Sequence, residues 1–155
     1  MTIIAGTIAI SAVSMNRAMA KVKDMTPRGT YMTLERTIKR INEWYMGWSG
    51  YYRMSQYPSQ QSKIEAHIRR RLRSRLVGQQ KRKRHLFKKL VKRGIRRGSA
   101  AQTVFSNKGR WVLSHTIALE RAYPNRWFIN GLGLRIRSDE KHLHQFPPGR
   151  WFRLT

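Results

Sequence analysis

The sequence has no cysteine and only 7 acidic residues among 155. The first absence rules out disulfides and thiolate metal sites, so an ordinary reducing cytoplasm suffices and a cytoplasmic location is expected. The second removes most routes to catalysis. General acid–base pairs and two-metal centres need clustered carboxylates, and the sole adjacent acidic pair, Asp139-Glu140, has no second cluster to work with. Polymerase chemistry is therefore not expected of this chain, nor is a cofactor or small-molecule substrate. Long apolar runs are also missing. The most apolar segment, Ile3 to Val13, falls far below the ~18 residues that span a bilayer, so no membrane partner is expected. Ala18-Met19-Ala20 imitates a signal-peptide cleavage site, but no Lys or Arg precedes the apolar run and Arg17 interrupts its approach to that site, which argues against a secretion signal. The run reads instead as a β-prone segment without partner strands.

What the chain does have is positive charge. Its 33 Lys and Arg give a formal net charge of +26 and a pI of about 11.8. Self-repulsion on that scale opposes compaction unless a polyanion relieves it, so nucleic acid is the expected partner. A hydrophobic fraction of 40% with five Trp points to a folded core rather than a membrane-surface peptide, and the length suits one domain.

Apolar periodicity predicts a mainly α fold, a small helical bundle with short irregular N- and C-terminal segments. Leu34, Ile38, Ile41, Tyr45, Trp48 and Tyr52 recur at spacings of four and three, one stripe of a helix that Thr33 would cap. A second helix is expected from a Ser62-x-x-Glu65 capping box, with Ile64, Ile68, Leu72 and Leu76 inward and Gly78 as its stop. Leu86, Phe87, Leu90 and Val91 predict a third, ended by Gly94 in a left-handed cap. A fourth would open at a capping box, Ser99 to Gln102, and run to about Phe105. A fifth, capped by Ser114, would carry Ile117 and Leu119 and break at Pro124. From Gly131 onward periodicity is lost.

From Lys63 to Arg97 the chain holds sixteen Lys or Arg and a single acid, Glu65. A merely solvated helical face mixes both signs; this one has almost nothing to pair with, and phosphate contacts are the expected use. The candidate RNA-binding residues are Arg69, Arg70, Arg71, Arg73 and Arg75, then Lys81, Arg82, Lys83 and Arg84, then Lys88, Lys89, Lys92, Arg93, Arg96 and Arg97. Charge alone does not separate RNA from DNA. Trp44 and Tyr51 lie off the core stripe and are candidates for stacking on unpaired bases. His142-x-His144 reads as exposed histidines rather than a metal site, and Ser114-His115 lacks the third group a nucleophile needs.

Asn42, Gly47-Trp48 and Tyr51-Tyr52, then Ile64 with IRRRLR (Ile68 to Arg73), KLVKRGI (Lys89 to Ile95) and GRWVLSHT (Gly109 to Thr116) follow one another in a distinctive order. Together they resemble the maturase-specific domain of group II intron-encoded proteins, over roughly Val22 to Leu134. The resemblance implies a helical thumb followed by a helical X region, gripping intron RNA and helping it reach its splicing-active fold. It divides the chain into a remnant or linker (1–21), the maturase-specific RNA-binding domain (22–134) and a basic irregular tail (135–155). The family's polymerase palm and Cys-containing endonuclease are not in this sequence. Three roles follow as alternatives: a non-catalytic maturase module for group II intron RNA, a thumb acting with a palm-bearing reverse transcriptase chain in trans, or a general basic nucleic-acid-binding protein.

Overall fold

A computed structural model describes residues 2–4 and 7–137, and it is a mainly α, small bundle. The chain opens with a two-stranded antiparallel hairpin, β1 (Thr2–Ile4) and β2 (Thr7–Ala9), in which Ile3 faces Ile8. The apolar N-terminal run thus finds its partner within itself. It is also tied to the bundle: the Gln60 side-chain amide accepts from Ile10 N–H and donates to the Ile10 carbonyl, both at 2.8 Å, standing in for a neighbouring strand.

Helix α1 (Ala12–Met25) follows at once, where the sequence predicts none. Ser11 caps it, accepting from the Ser14 N–H at 3.2 Å. Its buried face is Ala18, Val22 and Met25, a correctly spaced stripe of mostly small side chains. Helix α2 (Leu34–Tyr51) starts as expected, with the Thr33 hydroxyl accepting from Arg36 N–H at 3.3 Å. Leu34, Ile38, Ile41 and Tyr45 are buried, but the buried stripe then passes to Ser49, leaving Trp48 and Tyr52 half-buried.

Helix α3 (Pro58–Gln79) begins four residues before the expected capping box. Pro58 occupies its first turn, where a residue without an N–H leaves nothing unsatisfied. Glu65 is consequently free of capping duty and lies in the core at 1% exposure, accepting a hydrogen bond from the Tyr45 hydroxyl. Burial first, and the Glu65 carboxylate second, push the Tyr45 hydroxyl far above its ordinary pKa, so it remains a donor. Ile64, Ile68, Leu72 and Leu76 are buried as predicted. The helix ends one residue past Gly78, at Gln79. The Arg110 side chain lies on Gly78 so closely that a Cβ there would sit 2.2 Å from Nη1.

Helix α4 (Lys83–Lys92) buries Leu86 and Leu90 and ends at Gly94, whose φ of 90° is the expected left-handed cap. Ile95 N–H bonds the Leu90 carbonyl and Gly94 N–H that of Val91, both near 3.0 Å, with Ile95 buried behind them. Helix α5 (Arg97–Val104) starts two residues before the predicted Ser99 cap. A one-turn helix α6 (Arg110–Leu113) precedes α7 (Ile117–Ala122), and Thr116 rather than Ser114 stands at the N-cap of α7. The Ser114 hydroxyl is instead committed to the Trp111 carbonyl at 2.6 Å.

A π-helical segment, Trp127–Gly131, turns the chain back onto α2. There the Asn42 amide donates to the Gly133 carbonyl at 2.7 Å and accepts from Arg135 N–H at 2.8 Å, seating Leu134 and Ile136 in the core. One apolar cluster joins the helices and the segment that follows them. α3 packs on α1 and α6, while α4, α5 and α7 pack on one another.

Candidate nucleic-acid interface

The Arg-rich run of α3 divides by burial. Arg70 is exposed and Arg69 half-buried, whereas Arg73 and Arg75 are inside the fold at 5% and 8% exposure. Arg73 donates from Nε to the Tyr123 carbonyl at 3.0 Å and from Nη2 to Asn125 Oδ1 at 2.9 Å; its Nη1 stands 4.0 Å from Glu120 and its guanidinium 5.7 Å from the Phe128 ring. Arg75 donates to the Thr37 hydroxyl and the Met32 carbonyl. These two, expected at the phosphate surface, use their planar forks to pin loops and α2 to α3. Burial holds the protonated form of both below the ordinary guanidinium range, with Glu120 and Glu35 respectively working against it.

Arg71 is intermediate. Its Nε donates to the Thr26 hydroxyl at 2.9 Å and its Nη2 to the Thr26 carbonyl at 2.7 Å. Arg93 is half-buried in an aromatic bracket, 4.1 Å from the Tyr123 ring centroid and 4.5 Å from that of Trp127, and donates to the Ala122 carbonyl at 2.9 Å. Both stacks fall within cation–π range.

The remaining predicted cations are at the surface. Lys81 and Arg82 in the turn after α3, Lys83, Arg84, Lys88, Lys89 and Lys92 on α4, and Arg96 and Arg97 at the start of α5 are all exposed. Their placement follows from α4 itself: Leu86 and Leu90 are buried, Phe87 and Val91 half-buried, and every other position of the helix except His85 is cationic. Residues 66–97 contain no acid, so nothing within this run neutralises the face.

The aromatic candidates part company. Trp44 packs against the core and stacks on Trp48 at 5.9 Å, whereas Tyr51 is 67% exposed and meets Tyr52 edge-on at 4.8 Å. Trp111, one of the aromatics interleaved with the charge but not among the two stacking candidates, is exposed beside Arg71, Arg110 and His115. Arg121 and Arg126 likewise line a cavity with Arg93 and Trp127. The repeated Arg-Trp dipeptides, Arg110-Trp111 and Arg126-Trp127, were the available signal. His115 Nδ1 donates to the Trp111 carbonyl at 2.7 Å, so it cannot serve as a base toward Ser114 3.2 Å away.

Among the described residues no group of His, Asp and Glu could hold a metal ion, and no helix is long and apolar enough to cross a membrane. Asp139-Glu140, His142 and His144 lie outside the described residues.

Residues 15–94 match the group II intron, maturase-specific domain. The chain belongs to this family. The match runs from within α1 to the Gly94 cap, including the buried Tyr45–Glu65 pair and the basic face of α4, and it concerns a maturase-specific rather than a polymerase domain. It starts upstream of the resemblance read from the sequence and ends before the GRWVLSHT motif. No curated protein matches the chain.

Proposed function

We propose that this maturase-specific domain binds group II intron RNA and assists its folding and splicing, the RNA itself carrying the bond chemistry. The observation that carries the reading is the exposed, acid-free face formed by Lys83, Arg84, Lys88, Lys89 and Lys92 of α4 with Arg96 and Arg97 beside it. A face of one sign gains free energy by releasing the counterions condensed on a polynucleotide. The family supplies the identity of the RNA. The working unit is taken as α1 through the segment seated by Asn42, in a reducing cytoplasm consistent with the lack of cysteine.

The test is a splicing assay with an intron RNA that reacts slowly on its own at low magnesium. Protein should raise the spliced fraction, and a Lys88→Gln/Lys89→Gln/Lys92→Gln variant should lose that effect while melting as the parent does. No rise above a buffer control, with the RNA shown to be saturated by protein, would refute the maturase reading.

A further inference from the structure

A cavity of about 380 Å³ lies between the connector after α1, the middle of α3 and the start of α6, within the range typical of small-ligand pockets. Thr26, Arg28, Arg71, Ser74, Arg110 and Trp111 are among its walls, and no carboxylate is. Two of its arginines, Arg71 and Arg75, are held by hydrogen bonds. The bonds from Arg71 to Thr26 fix the guanidinium plane through Nε and Nη2. Arg110 lies over Gly78 of α3, in space that a larger residue there would contest. Trp111 keeps 37% of its surface exposed, with Arg71 5.8 Å from its ring and His115 edge-on at 4.7 Å.

We propose that this cavity is a subsite for one unpaired nucleotide of the bound RNA, its phosphate held by Arg28, Arg71 and Arg110 and its base stacked on Trp111. The inference rests on the RNA-binding reading above and adds where and in what form the strand is held. Four arginines, of which Arg75 is committed to Thr37 and Met32, border a space without an acid and call for an anion, and burial together with Arg28 and Arg110 already disfavours the protonated form of Arg71. The indole distinguishes the ligand. An aromatic beside a phosphate site suits a base whose π-face is accessible, which a continuous duplex does not offer.

The test uses the full chain with four probes, compared at matched ionic strength and, for the heptamer, across a salt series: a single-stranded uridine heptamer, a blunt RNA duplex of about 16 base pairs, and inorganic phosphate and uridine monophosphate as competitors. Trp111→Leu should weaken heptamer binding by roughly tenfold, the scale of one lost base stack, and leave duplex binding within about twofold. Trp111→Phe should restore most of the loss, which separates stacking from misfolding. Arg28→Gln/Arg110→Gln should weaken the heptamer and flatten its log–log salt slope by about one. Inorganic phosphate should compete only weakly. Variants that bind the heptamer as the parent does, variants that lose heptamer and duplex equally, or phosphate displacing the heptamer as well as uridine monophosphate does, would each overturn the subsite. A parent chain that binds neither RNA would instead overturn the function on which it rests.

Discussion

Arg73→Gln separates an arginine that holds the fold from those proposed to hold RNA. The wild-type side chain is almost wholly buried and makes two well-formed hydrogen bonds, to the Tyr123 carbonyl and to Asn125, besides its approach to Glu120. Glutamine is too short to reproduce the fork. Hydrogen bonds to a charged group contribute about 1.5–3 kcal/mol each, and a stranded buried acceptor costs about 1–3 kcal/mol. The Glu120 pair adds little, because that carboxylate is half exposed. Since one lost partner is partly replaced by water near Asn125, a net destabilisation of about 3 kcal/mol is expected. For a domain of this length that lowers the melting temperature by roughly 6–12 °C. Circular dichroism melts measure the shift, and RNA titration well below the melting point should give affinity within about threefold of the parent, since at most one phosphate contact is at issue. Lys88→Gln/Lys92→Gln should show the reverse, an unchanged melt with weakened binding. An Arg73→Gln protein that melts with the parent but loses RNA affinity would refute the assignment.

Three further outcomes follow from the packing. Tyr45→Phe removes the hydroxyl that donates to buried Glu65 and should cost about 1–3 kcal/mol in denaturant unfolding; an unchanged midpoint would contradict it. Gly94→Ala forces a Cβ into a backbone with φ of 90°, so a loss of about 1–2 kcal/mol is expected, against none if the cap were not in use. His67 is held below its ordinary pKa, chiefly by burial and then by Arg71 and Arg70. The unfolded chain therefore takes up this proton first as pH falls, so the contribution is complete above about pH 6.5 and is lost as pH drops toward the folded pKa. His67→Phe should flatten the pH dependence of the melt below neutrality, and an unaltered pH profile would sink the assignment.

Wherever large apolar side chains repeat at helical spacing, the fold was legible. The stripes Leu34–Tyr45 and Ile64–Leu76, and the glycine after Val91, each specify a local structure that the tertiary context only confirms. Helix α1 was hidden because its inward face is Ala18, Val22 and Met25, too modest a stripe to stand out beside the β-prone run that precedes it. Two of the three misplaced helix starts, those of α3 and α5, have the same origin, a capping-box pattern. A Ser-x-x-Glu pattern is local, whereas the position of Glu65 is decided by Tyr45, twenty residues away. Helix α6 and the π-helical segment are too short for any period to register.

The charged face was legible in the same partial way. A run of one sign announces a polyanion partner, and α4 has only one apolar side to hide. In α3, however, Arg69, Arg70, Arg71, Arg73 and Arg75 fall at successive angles around the helix, and their fates are set by acceptors distant in sequence: Thr26, Met32, Thr37, Tyr123 and Asn125. The cluster of Arg28, Arg71, Arg110 and Trp111 spans the chain from the end of α1 to α6 and exists only once α3 has brought those elements together.

The central claim is that the acid-free face of α4 and its flanks binds RNA through many phosphates. Its most direct measurement is the equilibrium affinity for structured intron RNA across a salt series, since each neutralised phosphate contributes about 0.7–0.9 to the log–log slope. Ten exposed cations, Arg70, Lys81 to Arg84, Lys88, Lys89, Lys92, Arg96 and Arg97, predict five or more contacts and thus a slope of about −4 or steeper. A slope corresponding to fewer than about three phosphates would contradict it.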